Sequence, residues 1–226
     1  MALVRRFFLI TAVVLAACGG RKSEQAEVRD TNAPPPSKAT AAHDDRKVLA
    51  AFGDSLTAGF GAPPGKSYPD FLQQEIDRKS YPWRVVNLGT SGDTSTDGLA
   101  RLPEALDLHP QIVILELGAN DGLRGIPIDR MRENLQQMIT AFQNAGAKVV
   151  LAGMTLPPNY GREYISGFED TYRDLAKKNK ATVIPFLLEG VGGHADLMQG
   201  DGLHPTAEGN RRVAANVMRT IEPLLK

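Results

Sequence analysis

From residue 46 onward the chain alternates between apolar runs of strand length and longer amphipathic segments, and this alternation restricts the fold more than any other feature. The strongest run, residues 111–117 (Gln-Ile-Val-Ile-Leu-Glu-Leu), is nearly all apolar, as a strand covered on both faces should be. Shorter runs at 47–53, 84–88, 148–152 and 181–186 predict four more strands. Helices are predicted over 68–79, with Pro69 tolerated in the first turn, and over 96–108, where Leu99, Leu102 and Leu106 recur at spacings of three and four. Three further helices are predicted over 129–144, with Gly146 as its stop, 168–179 and 206–225. Such alternation means an α/β domain: a parallel sheet with helices on both faces. Sheets of this kind carry their sites at the carboxyl ends of strands. Residues 53–61, 89–98, 118–125 and 153–161 follow strand ends, and 200–205 precede the last helix, so these five segments should converge.

The 226 residues carry no net charge, 42% of them are hydrophobic and 23% charged, which suits one globular domain with appendages. Charge is uneven along the chain. Residues 1–47 hold 8 Lys and Arg against 5 Asp and Glu, which leaves 18 against 21 for the remainder. A mildly acidic domain without a basic run gives no reason to expect nucleic acid as a partner.

The first residues are not expected to belong to the fold. Arg5 and Arg6 precede an apolar run over 7–17, too short for a transmembrane helix and of signal-peptide length. The run ends Leu15-Ala16-Ala17-Cys18-Gly19, which resembles the lipobox of bacterial lipoproteins. That resemblance implies a signal peptide over 1–18, lipidation of Cys18 and anchorage of the mature N-terminus to a membrane surface. Gly19, rather than Asp, after the cysteine points to the outer membrane and a domain facing the periplasm. The alternative is an ordinary cleaved signal, a chance cysteine and a secreted product. Cys18 is the only cysteine, so no intrachain disulfide can form. Residues 19–45, polar around Pro34-Pro35-Pro36, read as a disordered tether to a domain at 46–226.

Within the domain, Gly53-Asp54-Ser55 ends the first strand. A sharp turn there can present Ser55 as a nucleophile, with the flanking glycines leaving room for a carbonyl. All three are also ordinary turn residues. Gly200-Asp201-Gly202-Leu203-His204-Pro205 places an acid and an imidazole three residues apart. Asp201 can fix the tautomer of His204, which leaves the other ring nitrogen to take a proton from a serine. Both could instead cap the helix after Pro205, although Thr206 can do that. The other histidines are weaker candidates: His43 falls in the tether, His109 precedes Pro110 in a connection, and His194 has no acid at that spacing. Asn120, in Gly118-Ala119-Asn120-Asp121-Gly122, carries an amide able to donate to a developing oxyanion, and Gly92 lets a backbone N–H approach substrate closely. Both stretches also have the composition of turns.

Taken in order, Gly53-Asp54-Ser55-Leu56, Gly92, Gly118-Ala119-Asn120-Asp121 and Asp201-Gly202-Leu203-His204-Pro205 resemble the four blocks of the GDSL, or SGNH, hydrolases. The longer stretches 87–102, 115–125 and 156–161 resemble the bacterial thioesterase I, lysophospholipase and arylesterase branch. The resemblance implies a three-layer sandwich with a five-stranded parallel sheet in the order 2-1-3-4-5. It implies Ser55 as nucleophile, His204 as base and Asp201 as orienter. The implied oxyanion hole is the Ser55 and Gly92 N–H groups and the Asn120 side chain. No metal or cofactor is implied, and the expected substrates are acyl esters or thioesters, lysophospholipids among them, handled by a monomer. Residues 156–165 are expected to form a mobile loop over the acyl chain. There is no Gly-x-Ser-x-Gly elbow. Competing readings are a carbohydrate O-acetylesterase and a non-catalytic envelope lipoprotein. The role of Asp54 is left open by the sequence: capping or bracing the nucleophile loop is one option, and it is not the candidate for the triad acid.

Overall fold

The computed structural model describes residues 44–226. The expected signal peptide, Cys18 and nearly all of the expected tether therefore lie outside the described residues. Five strands, β1 (Lys47–Gly53), β2 (Trp83–Gly89), β3 (Ile112–Glu116), β4 (Lys148–Ala152) and β5 (Thr182–Ile184), form one parallel sheet in the order β2-β1-β3-β4-β5. β1 and β3 run through its centre, and after Lys47 every residue of both is buried.

Helices α1 (Ser55–Ala58) and α2 (Tyr68–Arg78) follow β1, and α3 (Ser95–Ala100) and α4 (Leu102–Leu106) follow β2. After β3 come α5 (Ala119–Leu123) and α6 (Ile128–Asn144), then α7 (Arg162–Asn179) after β4 and α8 (Ala207–Ile221) after β5. The crossover from β1 to β2 runs opposite in direction to those that build the rest of the sheet. Right-handed connections then place α2 on one face and α3, α6 and α7 on the other. The packing agrees: α2 lies against α8, and α6 against both α3 and α7. The core is aliphatic and aromatic, with Phe52 and Phe142 edge to face at 5.8 Å. The direction in which the crossovers move along the sheet reverses at the boundary between the parallel strands β1 and β3, the point at which open α/β sheets form a crevice.

Several boundaries differ from the sequence expectations, each for a local reason. The single helix expected over 96–108 is two, α3 and α4, because Pro103 has no N–H to continue the first and fits only the opening turn of the second. α7 starts at Arg162 rather than 168, since Gly167 is accommodated inside the helix. The later part of the expected loop at 156–165 is therefore helical, and Pro158–Tyr160 is a 3-10 turn. β5 spans Thr182–Ile184 only, because Pro185 cannot donate to the ladder. α8 ends at Ile221, and the 3-10 turn Glu222–Leu224 contains Pro223. The short helices α1 and α5 stand where turns were expected.

Candidate active site

The loop that carries Ser55 is built on the register of the sheet. Gly53 pairs with Gly89 on one side and Glu116 on the other, at the carboxyl edge. A Cβ on Gly53 would run into Thr57 Oγ1, the Glu116 carboxylate and the Glu116 carbonyl. This glycine thus makes room for its own buried support rather than for a substrate carbonyl, which corrects the sequence expectation. Asp54 caps α1, its Oδ1 accepting from the Leu56 N–H at 3.0 Å, and Gly59 closes the helix in the left-handed region at φ 77°. Ser55 is held in this one-turn helix, half-buried.

The Asp201–His204 loop reaches Ser55 from across the molecule. His204 Nε2 lies 2.9 Å from Ser55 Oγ, and His204 Nδ1 lies 2.7 Å from Asp201 Oδ2. Asp201 Oδ1 accepts from the Leu203 and His204 N–H groups at 2.9 and 3.1 Å. The His204 bond first, and the two backbone donors after it, hold the Asp201 carboxyl down at about 2. Thr206, not Asp201, caps α8, with its Oγ1 accepting from the Gly209 N–H. The sequence reading missed Gln199, which ties the two loops together. Its Nε2 donates to Phe60 O at 2.7 Å and to Pro205 O at 2.9 Å, and its N–H donates to His204 O at 2.7 Å. Phe60 was missed as well. Its ring, 52% exposed, tilts over the imidazole with centroids 4.7 Å apart.

Asn120 and Gly92 come to the same place from the ends of β3 and β2. Asn120 Nδ2 donates to Asp54 Oδ2 at 3.1 Å and to Asp93 O at 2.9 Å. Turning the amide over would set its oxygen against two acceptors, so the nitrogen is fixed in this direction. Both amide hydrogens are engaged here, and a substrate oxyanion would have to share one of them. Gly92 has φ 87°, a conformation open to glycine, and its carbonyl accepts from Arg124 Nη2 at 2.8 Å. Arg101 binds this corner from behind, donating to Asp93 Oδ2 at 2.5 Å, Leu88 O at 2.9 Å and Gly53 O at 2.8 Å. Its guanidinium lies 4.1 Å over the Phe52 ring.

Ser55, Gly92, Asn120 and His204 open onto one cavity of about 730 Å3. Its wall is mainly apolar, with Leu123, Met154, Leu156, Pro157, Phe186 and Leu188 among the lining side chains. Neither His109 nor His194 lines it. Leu156 to Pro158 bring the expected acyl-chain loop to the cavity, and Tyr160 Oη secures it by donating to Leu123 O at 2.8 Å. Among the described residues no group of three or more His, Cys, Asp or Glu is arranged to hold a metal ion, and no helix is long and apolar enough to cross a membrane.

The model of the GDSL-like Lipase/Acylhydrolase family matches residues 51–212. The chain belongs to this family. Among similar proteins, Esterase TesA of Pseudomonas aeruginosa is 43% identical over 180 residues, 79% of this chain and 90% of that one. Thioesterase 1/protease 1/lysophospholipase L1 of Escherichia coli K12 is 38% identical over 79% of this chain and 85% of its own. A crystal structure of TesA superposes with TM-score 0.77 at 43% identity, covering 79% of this chain and 99% of that one. The psychrotrophic esterase EstA from Pseudoalteromonas, in a structure inhibited by monoethylphosphonate, gives TM-score 0.75 at 32% identity and covers 80% of this chain and 99% of its own. The five-stranded order is that of a GDSL-family hydrolase, as the sequence resemblance implied.

Proposed function

We propose that this family member is a serine esterase that transfers the acyl group of a carboxylic ester or thioester to water. The observation that carries the reading is the continuous chain Asp201–His204–Ser55, which ends at an apolar cavity. Ser55 Oγ attacks the carbonyl carbon while His204 Nε2 takes its proton; Nδ1–H stays bonded to Asp201, which stabilises the imidazolium. The tetrahedral oxyanion is received by the Ser55 and Gly92 N–H groups and by Asn120 Nδ2. His204 then gives the proton to the departing alcohol or thiol. Water, activated by the same nitrogen, attacks the acyl-Ser55 ester, and collapse of the second intermediate releases the acid and restores the serine.

The cavity favours aliphatic acyl groups over acetyl. Its volume falls within the roughly 300–1,000 Å3 of small-molecule sites. Each methylene moved from water to an apolar wall contributes about 0.8 kcal/mol, or about fourfold in kcat/KM. A p-nitrophenyl ester series from acetate upward tests this, and kcat/KM should climb until the cavity is filled. Highest activity on acetyl esters would favour the carbohydrate O-acetylesterase reading, and no turnover of any ester or thioester the non-catalytic one. Lysophospholipids belong to the same proposed class, because they join one acyl ester to a polar remainder that can stay in water. We further propose a monomer anchored through lipidated Cys18, with the domain in the periplasm. Mass spectrometry of the membrane fraction checks this, and an unmodified soluble N-terminus would refute it.

A further inference from the structure

Two carboxyl groups lie buried directly behind the proposed oxyanion site, and the proposed mechanism uses neither. Asp54 is 1% exposed and Glu116 is 0% exposed. Glu116 is the one charged residue in β3, with both faces of that strand covered. Its Oε2 accepts from Thr57 Oγ1 at 2.7 Å and from the Asp54 N–H at 3.2 Å. Thr57 Oγ1 also meets the Tyr68 hydroxyl at 3.2 Å. Glu116 Oε1 is buried, and among the described residues nothing donates to it. Asp54 is the acid that opposes this carboxyl: its N–H bonds Glu116 Oε2 at 3.2 Å, and the two carboxyl charges act directly on each other.

An orphaned carboxylate oxygen beside another carboxyl is satisfied by one proton between them. The surroundings leave little alternative. Among the described residues neither carboxyl is hydrogen-bonded to a Lys or Arg; the Arg101 guanidinium, which reaches Gly53 O next to Asp54, is taken by Asp93 Oδ2 and two carbonyls. The other titratable groups facing the pair are Tyr68 from α2, Tyr172 from α7, Asp93, and His204 across the site. Asp121, also buried, is satisfied by the N–H and O–H of Ser95 at 2.7 and 2.6 Å. Two adjacent buried anions without a cation are too costly to persist. Asp54 accepts two N–H donors, from Leu56 and Asn120, so the negative charge belongs on Asp54 and the proton on Glu116. Burial first, then the Asp54 charge, push the Glu116 carboxyl far above its ordinary range, while burial lifts Asp54 to about 6.

We propose that Asp54 and Glu116 share a single proton, and that the pair, held at one negative charge, makes Asp54 the positioning residue for the oxyanion amide of Asn120. The proposal rests on the reading of Asn120 as oxyanion donor and adds a reason for its orientation. One anion holds the amide nitrogen towards the site. A second anion on Glu116 would oppose the negative charge that develops on the substrate oxygen. The pair therefore sets an upper pH limit on turnover that is separate from the triad.

Infrared spectroscopy of the full chain at pH 8 tests the proton directly. A protonated-carboxyl stretch is expected in the wild type and should be lost in Glu116→Gln. Its absence from the wild type, or its survival in a folded Glu116→Gln, overturns the proposal. A second measurement uses stability. Glu116 has a raised folded pKa, so the wild type loses stability as pH rises above the unfolded carboxylate range, and an uncharged glutamine does not. The unfolding constant of the wild type relative to Glu116→Gln should rise about tenfold per pH unit between pH 7 and 8; a flat ratio contradicts it. Turnover gives the third readout. Asp54→Asn keeps the size but offers one oxygen to two donors, and kcat should fall at least tenfold with KM little changed. If Asn120→Ala lowers kcat and Asp54→Asn does not, the positioning role fails while the oxyanion reading stands. If Asn120→Ala leaves kcat unchanged, the oxyanion reading itself has failed, whatever the infrared band shows.

Discussion

Replacing Asp201 by Asn separates chemistry from folding. The two carboxylate oxygens have different tasks: Oδ2 receives the His204 ring at 2.7 Å, and Oδ1 receives the Leu203 and His204 N–H groups at 2.9 and 3.1 Å. An amide can serve only one of these sets. If its oxygen keeps the two backbone donors, its NH2 faces Nδ1 and drives the imidazole into the tautomer with hydrogen on Nε2. That hydrogen points at Ser55 Oγ, and the base has no lone pair to offer. If the amide turns over, its NH2 meets two N–H donors and the loop loses its brace. The same exchange in another Ser-His-Asp enzyme lowers kcat by about ten-thousand-fold, or roughly 5 kcal/mol of barrier. A loss of about a thousand-fold or more is expected here, with KM within a few-fold. Asp201 is exposed and its pairing is screened by solvent, so the variant should stay folded with its melting temperature only slightly lowered at neutral pH. Steady-state hydrolysis of a p-nitrophenyl ester, paired with thermal unfolding of the same samples, provides both numbers. A folded Asp201→Asn protein that keeps a tenth or more of wild-type kcat would refute the orienting role.

Removing the proposed oxyanion donor in Asn120→Ala should lower kcat by roughly a hundred- to a thousand-fold with a much smaller effect on KM, measured on the same ester. Weakened binding with unchanged turnover would instead mark Asn120 as structural. Gly53→Ala should destabilise by about 1–3 kcal/mol or more in denaturant unfolding, because the new methyl would overlap Thr57 and Glu116 and one obstacle is backbone. Asp201 also sets a pH dependence. Its carboxyl is held down at about 2, so the stability from its pairing is present above the ordinary carboxylate range and is lost as pH falls towards about 2. Unfolding curves of wild type and Asp201→Asn should converge across that acid window.

Much of this architecture was legible because it repeats local rules. Residues 111–117 announce a buried strand by composition, and Asp201 and His204 sit close enough in sequence to be read as a pair. Ser55, Gly92 and Asn120 could be placed at strand ends, where a parallel sheet collects its site. What stayed hidden depends on distant neighbours. Gln199 looks like any loop glutamine until its side chain reaches Phe60 from across the fold. Arg101 lies in an amphipathic stretch, and only the break between α3 and α4 turns it back onto Asp93 and Gly53. Gly53 read as space for substrate, but sheet register puts Glu116 beside it instead. Glu116 did leave a signal, as an acid inside an otherwise apolar strand. Its partner Asp54 lies 62 residues away in the chain, and that pairing depends on β1 and β3 being neighbours.

The central claim is that Ser55 carries the acyl group. Intact-protein and peptide mass spectrometry after reaction with a p-nitrophenyl alkylphosphonate tests it most directly, because such a reagent leaves a stable adduct on an activated serine. The structure predicts one phosphonyl group per chain, located on Ser55, with p-nitrophenol released in equal amount, activity lost in step, and no adduct on Ser55→Ala. An adduct on another residue that abolishes activity, or a Ser55→Ala protein that still turns over esters, would contradict it.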